Sequence, residues 1–231
     1  MTPAEVGSQM PLPVPTDPEL AALLPEILVV LRGKDDAQFK LGEGNDGTVY
    51  QLFDPRALAA DPAEHRDPYG GRFKGLCIKV WKESYQRRSH EIDVHLVAQS
   101  LALKYSEVPK LIHVDIAAGA FIMERVDGKT AAQALIGRRR FPGRTLFDYA
   151  CIAFLELNQG GVIHDDAHTS NWMLTDIEEE LVNTRGGTGE DTIVVDGKVW
   201  IIDFGRSRLS TSGDDRLKLR QDLGDRARAG Y

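Results

Sequence analysis

Residues 162–174 of this 231-residue chain read VIHDDAHTSNWML, a group of polar side chains framed by apolar ones. Two histidines, two adjacent aspartates and an asparagine lie between a Val-Ile pair and a Trp-Met-Leu run. Apolar runs on both sides predict a polar loop held between buried segments. A metal site, a catalytic loop and a simple polar turn are all compatible with this composition.

Downstream of this loop, residues 201–205 read IIDFG and follow the apolar pair Val199-Trp200. The pattern predicts a buried strand that delivers Asp203 at its end. An Asp-Phe-Gly tripeptide is common by chance, so its weight depends on what else the chain carries.

Upstream, residues 42–49 contain the glycine pattern Gly42-x-Gly44-x-x-Gly47-x-Val49. A dinucleotide-binding version of this pattern lies between a strand and a helix. Here Thr48, Val49 and Tyr50 favour extended chain after the glycines, so the pattern predicts a hairpin. Its glycines either let backbone N–H groups approach phosphate oxygens or simply make a turn.

A lysine lies inside the apolar segment LCIK, at position 79. Burying an ammonium group is costly without a partner, so Lys79 is either exposed on an alternating strand or paired with a carboxylate. Glu91, in the helix predicted to follow, is the favoured partner. Glu83 and Asp93 are the alternatives.

The order of predicted elements indicates two parts. Residues 1–20 are Pro-rich and are predicted to be a disordered tail. Residues 21–126 contain a leading helix and five strands with one helix inserted, and residues 127–231 contain helices and a small hairpin turned at Asp196-Gly197. The acidic, Gly-rich insertion at 176–192 is predicted to be a mobile loop that could contact a partner.

Four motifs occur along the chain in the order GEGNDGTV, LCIK, IHDDAHTSN and IIDFG. Both the motifs and their order resemble those of the protein-kinase-like superfamily, over about residues 37–226. The resemblance implies an α+β, two-lobed fold with a five-stranded antiparallel N-lobe, a truncated helical C-lobe and an ATP cleft. The Thr-Ser-Asn ending of the third motif is similar to the minimal Rio-type and KEOPS-complex kinases. A compact minimal kinase of this kind would also suit a bacterial effector.

The resemblance also implies roles for single residues. Asp166 would orient the attacking hydroxyl, Lys79 would contact the ATP phosphates with Glu91 as its partner, and His164 would brace the loop. Asn171 and Asp203 would bind Mg²⁺. The remaining nucleotide-binding positions are Gly42, Gly44, Gly47, the adenine-lining Val49, Cys77 and Met173, the gatekeeper Met123, and the hinge backbone from Glu124 to Val126.

Two residues depart from the typical protein-kinase pattern. Asp165 occupies the position of the usual arginine, which implies activity without a phosphorylated activation loop. His168 occupies the position of the usual lysine, as in kinases of the aminoglycoside and choline type. No Ala-Pro-Glu motif follows Gly205, so the resemblance leads us to expect a C-lobe without its peptide-docking half.

Composition narrows the class of protein. The net charge of -7 argues against duplex nucleic-acid binding, which needs a concentrated basic face. No apolar stretch approaches the roughly 18–20 residues of a membrane span. Two distant cysteines predict free thiols in a reducing, cytoplasmic compartment. Export to a host cell without a cleavable signal peptide would also fit.

The favoured interpretation is an ATP- and Mg²⁺-dependent serine/threonine-protein kinase with an unknown protein substrate and a possible activator protein. The alternatives are a small-molecule kinase, supported by His168, and a nucleotide-binding pseudokinase. A zinc site on His164 and His168 is disfavoured because no third ligand is apparent.

Overall fold

The protein is of mixed α+β class in a computed structural model that describes residues 12–33, 36–60, 67–135, 144–183 and 191–210. The helices are α1 (Pro18–Leu31), α2 (Pro55–Ala59), α3 (Arg88–Ser100), α4 (Ala131–Leu135) and α5 (Arg144–Gln159). The strands are β1 (Lys40–Glu43), β2 (Gly47–Gln51), β3 (Leu76–Trp81), β4 (Ser106–Glu107), β5 (Leu111–Asp115), β6 (Ala120–Glu124), β7 (Lys129–Thr130), β8 (Val162–Ile163), β9 (Trp172–Asn183), β10 (Asp191–Ile201) and β11 (Arg208–Leu209). None of the helices in the described ranges is long and apolar enough to cross a membrane.

The chain divides into two compact units. The sheet unit comprises Leu12–Ile92 and Lys110–Arg125, and the hairpin unit comprises Asp93–Pro109 and the described residues from Val126 onward. The single boundary predicted at residue 126 therefore lies close to one real boundary, but residues 93–109 group with the later part of the chain. The reason is packing: the second half of α3 joins the apolar core around α5, and β4 pairs in parallel with β10.

The sheet unit contains an antiparallel five-stranded sheet in the order β1-β2-β3-β6-β5, which confirms the five predicted strands. Two helices rather than one lie between them in sequence, since the short α2 precedes β3 and α3 follows it. Its glycine-rich β1–β2 connection packs tightly on β3. A Cβ atom at Gly47 would lie 2.6 Å from the backbone oxygen of Val80, so this position requires glycine. One face of α1 completes the core with Leu20, Leu23, Leu24, Ile27, Leu28 and Leu31.

The start of α1 corrects the predicted tail. The helix begins at Pro18, so the last three residues of the stretch 1–20 that was expected to be disordered are helical. Asp17 caps it, accepting hydrogen bonds from the backbone N–H groups of Glu19 and Leu20 at 2.9 and 3.0 Å. Residues 1–11 of the predicted tail lie outside the described residues.

The hairpin unit is built on the antiparallel pair β9–β10, within a four-stranded sheet ordered β4-β10-β9-β7. The predicted turn at Asp196-Gly197 is wrong, because β10 continues through both residues. There two residues of β9 oppose one of β10, which is a β-bulge. Asp-Gly favours a turn only when no long partner strand is available, and β9 provides such a partner for the β-branched residues on both sides.

The same pairing corrects the acidic insertion. Residues 176–183 and 191–192, expected in a mobile loop, belong to β9 and β10. The rest of the insertion, residues 184–190, lies outside the described residues. The unit's core packs α5 against the inner parts of these strands through Ala153, Phe154, Leu157, Trp172, Leu174, Val199 and Ile201.

Candidate active site

A buried ion pair links β3 to the start of α3 in the sheet unit. The Nζ atom of Lys79 on β3 lies 2.6 Å from Oε1 of Glu91 on α3, and the two residues are 5% and 1% exposed. The other two carboxylates considered as partners, Glu83 and Asp93, are exposed. The structure therefore confirms Glu91 as the partner of Lys79.

The second oxygen of Glu91 is also occupied. Trp81 donates its indole N–H to Oε2 of Glu91 at 2.7 Å, and Tyr85 hydrogen-bonds to the same carboxylate. Burial raises the pKa of the Tyr85 phenol above its usual range, and the negative charge of Glu91 adds to this. Several donors on one buried carboxylate offset the cost of removing its charge from water.

Sequence reasoning did not identify Trp81 and Tyr85. A signal was present for Trp81, which lies two residues after Lys79 and so on the same face of β3. A buried tryptophan usually finds an acceptor for its N–H group. Nothing in the sequence indicated which acceptor this would be.

The glycine-rich connection is a hairpin, as predicted. The N–H group of Gly44 donates to the backbone oxygen of Gly47 at 2.9 Å, and Gly42 pairs with Val49 across the hairpin. A Cβ atom at Gly42 would meet nothing within 4 Å, so the protein's own packing does not require glycine there. On the next strand pair, Val49 is directly opposite Lys79.

The predicted adenine-lining residues are distributed over both units. In the sheet unit, Cys77 pairs with Met123, and its thiol donates to the backbone oxygen of Glu124 at 3.7 Å. Burial raises the pKa of the Cys77 thiol to about 12. Val126 and the half-buried Met173 belong to the hairpin unit. Cys77 and Cys151 are both free thiols, as predicted, although Cys151 is only partly buried.

His164 braces the polar loop of the hairpin unit. Its side chain is buried, its Nε2 lies 2.8 Å from the backbone oxygen of Ile202, and that carbonyl requires the ring nitrogen to donate. The rings of Phe154 and Phe204 both pack against the imidazole, and the centroid of each lies 5.3 Å from the centroid of the His164 ring. Burial lowers the pKa of His164, so the ring is neutral and fixed in one tautomer.

Asp166 and Asn171 face each other across the loop. The Nδ2 atom of Asn171 donates to the backbone oxygen of Asp166 at 2.9 Å and to its Oδ2 at 3.1 Å. Both partners are acceptors, so the amide nitrogen must point at Asp166. The amide oxygen of Asn171 is thereby directed elsewhere and can serve as a ligand for a cation.

Asp203 lies beside this pair and has an unusual backbone. The N–H group of Ile202 donates to the backbone oxygen of Asn171 at 3.0 Å, which brings the following residue close to the loop. Asp203 has φ of 62° and ψ of 78°, and within the described ranges it is the only residue other than glycine with positive φ. Such a conformation costs of order 1–3 kcal/mol and is concentrated at functional sites.

The oxygen atoms of Asn171 and Asp203 fit the preferences of Mg²⁺, which takes one or two protein ligands and completes its shell with phosphate oxygens and water. A zinc site finds no support, since the described ranges contain no group of three or more His, Cys, Asp or Glu side chains that could hold a metal. His164 already donates from Nε2, and the Nδ1 atom of His168 accepts the Ser170 N–H at 3.2 Å.

The two departures from the protein-kinase pattern have local structural roles. Asp165 accepts a hydrogen bond from Nε of Arg208 at 2.6 Å, which ties the loop to β11. His168 caps the turn through Nδ1, and its Nε2 lies 3.5 Å from Oδ2 of Asp166. On the other side, Nη1 of Arg206 lies 3.8 Å from Oδ1 of Asp166.

No protein-family model matches this chain, and no curated protein matches it.

Proposed function

We propose that this chain is an ATP- and magnesium-dependent kinase that transfers the γ-phosphoryl group of ATP to a serine or threonine hydroxyl of a protein. The sheet unit would then be the N-lobe, and the hairpin unit the truncated C-lobe, of a protein-kinase-like fold. The observation that carries the proposal is the contact between Asn171 and Asp166. It leaves a carboxylate able to accept a proton beside an amide oxygen able to bind a cation.

The proposed reaction assigns the proton to Asp166. As the acceptor oxygen bonds to the γ-phosphorus, the bond from that phosphorus to the β–γ bridging oxygen breaks, ADP leaves, and the hydroxyl proton passes to Asp166. His164 is not suited to this task, because its Nε2–H is held by Ile202 and the ring is buried. Phosphoryl transfer depends mainly on positioning and charge neutralisation, which this arrangement would supply.

The charge of the transferred group would be neutralised from two sources. Asn171 and Asp203 would hold Mg²⁺, and the ion would offset negative charge on the phosphate oxygens. Lys79 would contribute a fixed ammonium group. Its pairing with Glu91 at 2.6 Å supports this role. A buried ion pair often stabilises a fold no better than apolar residues of the same volume would, so its presence is better explained by a function that needs the ammonium group.

The small-molecule kinase remains the alternative among enzymes. His168 was its main support, but the hydrogen bond from the Ser170 N–H gives that histidine a structural role that is independent of the substrate. A pseudokinase is disfavoured because Lys79, Asp166, Asn171 and Asp203 are all present.

The proposal is tested by incubating the protein with ATP labelled at the γ-phosphate and a cell lysate. The variant for comparison is Asp203→Asn, since asparagine tolerates the left-handed backbone and removes only the charge. We expect labelled protein bands with the wild type and none with the variant, together with loss of the thermal stabilisation by Mg-ATP. Labelled metabolites would favour the small-molecule kinase. Absence of any label would overturn the proposal in favour of a pseudokinase.

A further inference from the structure

Two arginines follow the Asp-Phe-Gly motif, and they are anchored to very different degrees. Arg208 is held by Asp165 at 2.6 Å and has further contacts. Among the described residues, Arg206 has one long ion pair, with Nη1 at 3.8 Å from Oδ1 of Asp166, and its side chain is 51% exposed. The less anchored arginine is thus the one beside the proposed proton acceptor.

The backbone that carries Arg206 is well fixed. Arg206 ends the 3-10 turn Phe204–Arg206, in which Phe204 and Gly205 are buried. The N–H group of Ser207 donates to the oxygen of Phe204 at 3.0 Å, and β11 then pairs with β8. The base of the side chain is held in place while its guanidinium group extends into solvent.

A contribution to stability does not explain this placement. A separation of 3.8 Å is too long for a hydrogen bond, and exposed ion pairs contribute between 0 and about 1 kcal/mol to stability. The position of Arg206 therefore needs another reason.

We propose that Arg206 is a specificity-determining residue that binds an anionic group of the acceptor, so that the preferred acceptor is a serine or threonine flanked by acidic side chains. This inference rests on the proposed function. An acceptor hydroxyl must come within about 2.6–3.2 Å of Asp166 for proton transfer, which brings the residues next to it within reach of Arg206. A guanidinium group binds a carboxylate through two parallel hydrogen bonds.

The chain has a net charge of -7, so its overall field does not attract an acidic peptide. A preference for acidic acceptors would have to come from a local cation such as Arg206.

The test compares three peptides that share one central serine and differ only in having glutamate, glutamine or lysine on both sides of it. The kcat/KM for transfer from labelled ATP is measured with the wild type, Arg206→Gln, Arg206→Glu and the matched control Arg208→Gln. We expect the wild type to prefer the glutamate peptide over the glutamine peptide by about tenfold or more, the range of hydrogen bonds to charged groups. Arg206→Gln should abolish this preference, and Arg206→Glu should shift it to the lysine peptide.

Arg208→Gln should keep the wild-type order of peptides, because Arg208 is paired with Asp165 and not with Asp166. The inference is overturned if the wild type shows no preference, if Arg206→Gln keeps it, or if Arg208→Gln abolishes it equally. In each of these cases the proposed function would still stand if the wild type transfers phosphate to at least one peptide and Asp203→Asn does not. Absence of transfer to every peptide and every lysate protein would remove both proposals.

Discussion

Two polar clusters, one around Glu91 and one around Asp166, differ in how completely their carboxylates are hydrogen-bonded. Glu91 is 1% exposed, and its two oxygens are taken by Lys79 and Trp81 at 2.6 and 2.7 Å. The side chain of Asp166 is 17% exposed, with its side-chain partners spread between 3.1 and 3.8 Å. One cluster is closed and saturated, and the other is open and loosely paired.

The difference follows from what each carboxylate must do. A charge removed from water has to be satisfied by the protein, so Glu91 is surrounded by donors and can hold Lys79 in one position. A group that exchanges protons with a substrate has to stay accessible, so Asp166 cannot be saturated in the same way. We therefore expect substitutions in the closed cluster to affect stability and substitutions in the open cluster to affect activity.

The largest effect is expected at Asp166. Asp166→Asn removes the proposed proton acceptor and keeps the shape of the side chain, so transfer of labelled phosphate should fall by about 10²–10⁴-fold. Its free energy of unfolding, measured by urea denaturation, should change by less than about 1 kcal/mol. Transfer at the wild-type rate would show that the role assigned to Asp166 is wrong.

The next largest effect is expected at Glu91. Glu91→Gln leaves the Lys79 ammonium group buried without its counter-charge, which should lower the free energy of unfolding by roughly 3 kcal/mol. The control is Glu83→Gln, the same change at an exposed position, which should stay within about 0.5 kcal/mol of the wild type. Equal stability of the two variants would contradict the closed character of this cluster.

A smaller effect should separate the indole donor from the volume of its ring. Trp81→Phe removes the N–H group that donates to Glu91 and should cost about 1–3 kcal/mol of unfolding free energy, the range for hydrogen bonds to charged groups. The matched variant is Trp200→Phe. In the wild type, the indole N–H group of Trp200 donates to the neutral hydroxyl of Thr175 at 3.1 Å. Trp200→Phe should be the milder change. A loss as large as that of Trp81→Phe would assign the effect to the rings rather than to the charge.

The smallest effect is expected at His113, outside both clusters. Its Nδ1 accepts the N–H group of Asp17 at 3.2 Å, and burial lowers its pKa. Below about pH 6.5 the imidazole is therefore protonated more readily in the unfolded chain than in the folded one. The free energy of unfolding consequently falls as the pH drops below this value. His113→Asn keeps an acceptor without a titrating ring, and its stability should decline less between pH 6.5 and 5. Parallel curves for both proteins would exclude this contribution.

Parts of the fold that depend on local pattern could be predicted from the sequence. The alternation around Lys79 and the glycines at 42–47 predicted strands that the structure contains. The turn at Asp196-Gly197 could not be judged in this way, because its outcome depends on a partner strand. The acidic run at 176–183 was assigned to a loop for the same reason, since its β-pairing comes from β10.

The candidate site shows the same limit. Asp166, Asn171 and Asp203 were selected because their two motifs resemble those of the protein-kinase-like superfamily. Spacing did not reveal Trp81 and Tyr85 on Glu91, or Arg206 beside Asp166, since those contacts join separate elements.

The sequence by itself determined which chemical groups are present, in what order, and where the five strands of the first sheet and the polar loop lie, because these follow from side-chain type and short-range periodicity. Only the tertiary structure decided which carboxylate pairs with Lys79, how Asn171 is oriented, and which arginine remains open to solvent. Each of those outcomes is a choice among several chemically suitable partners. Burial and distance make that choice, and both arise only when distant segments pack together.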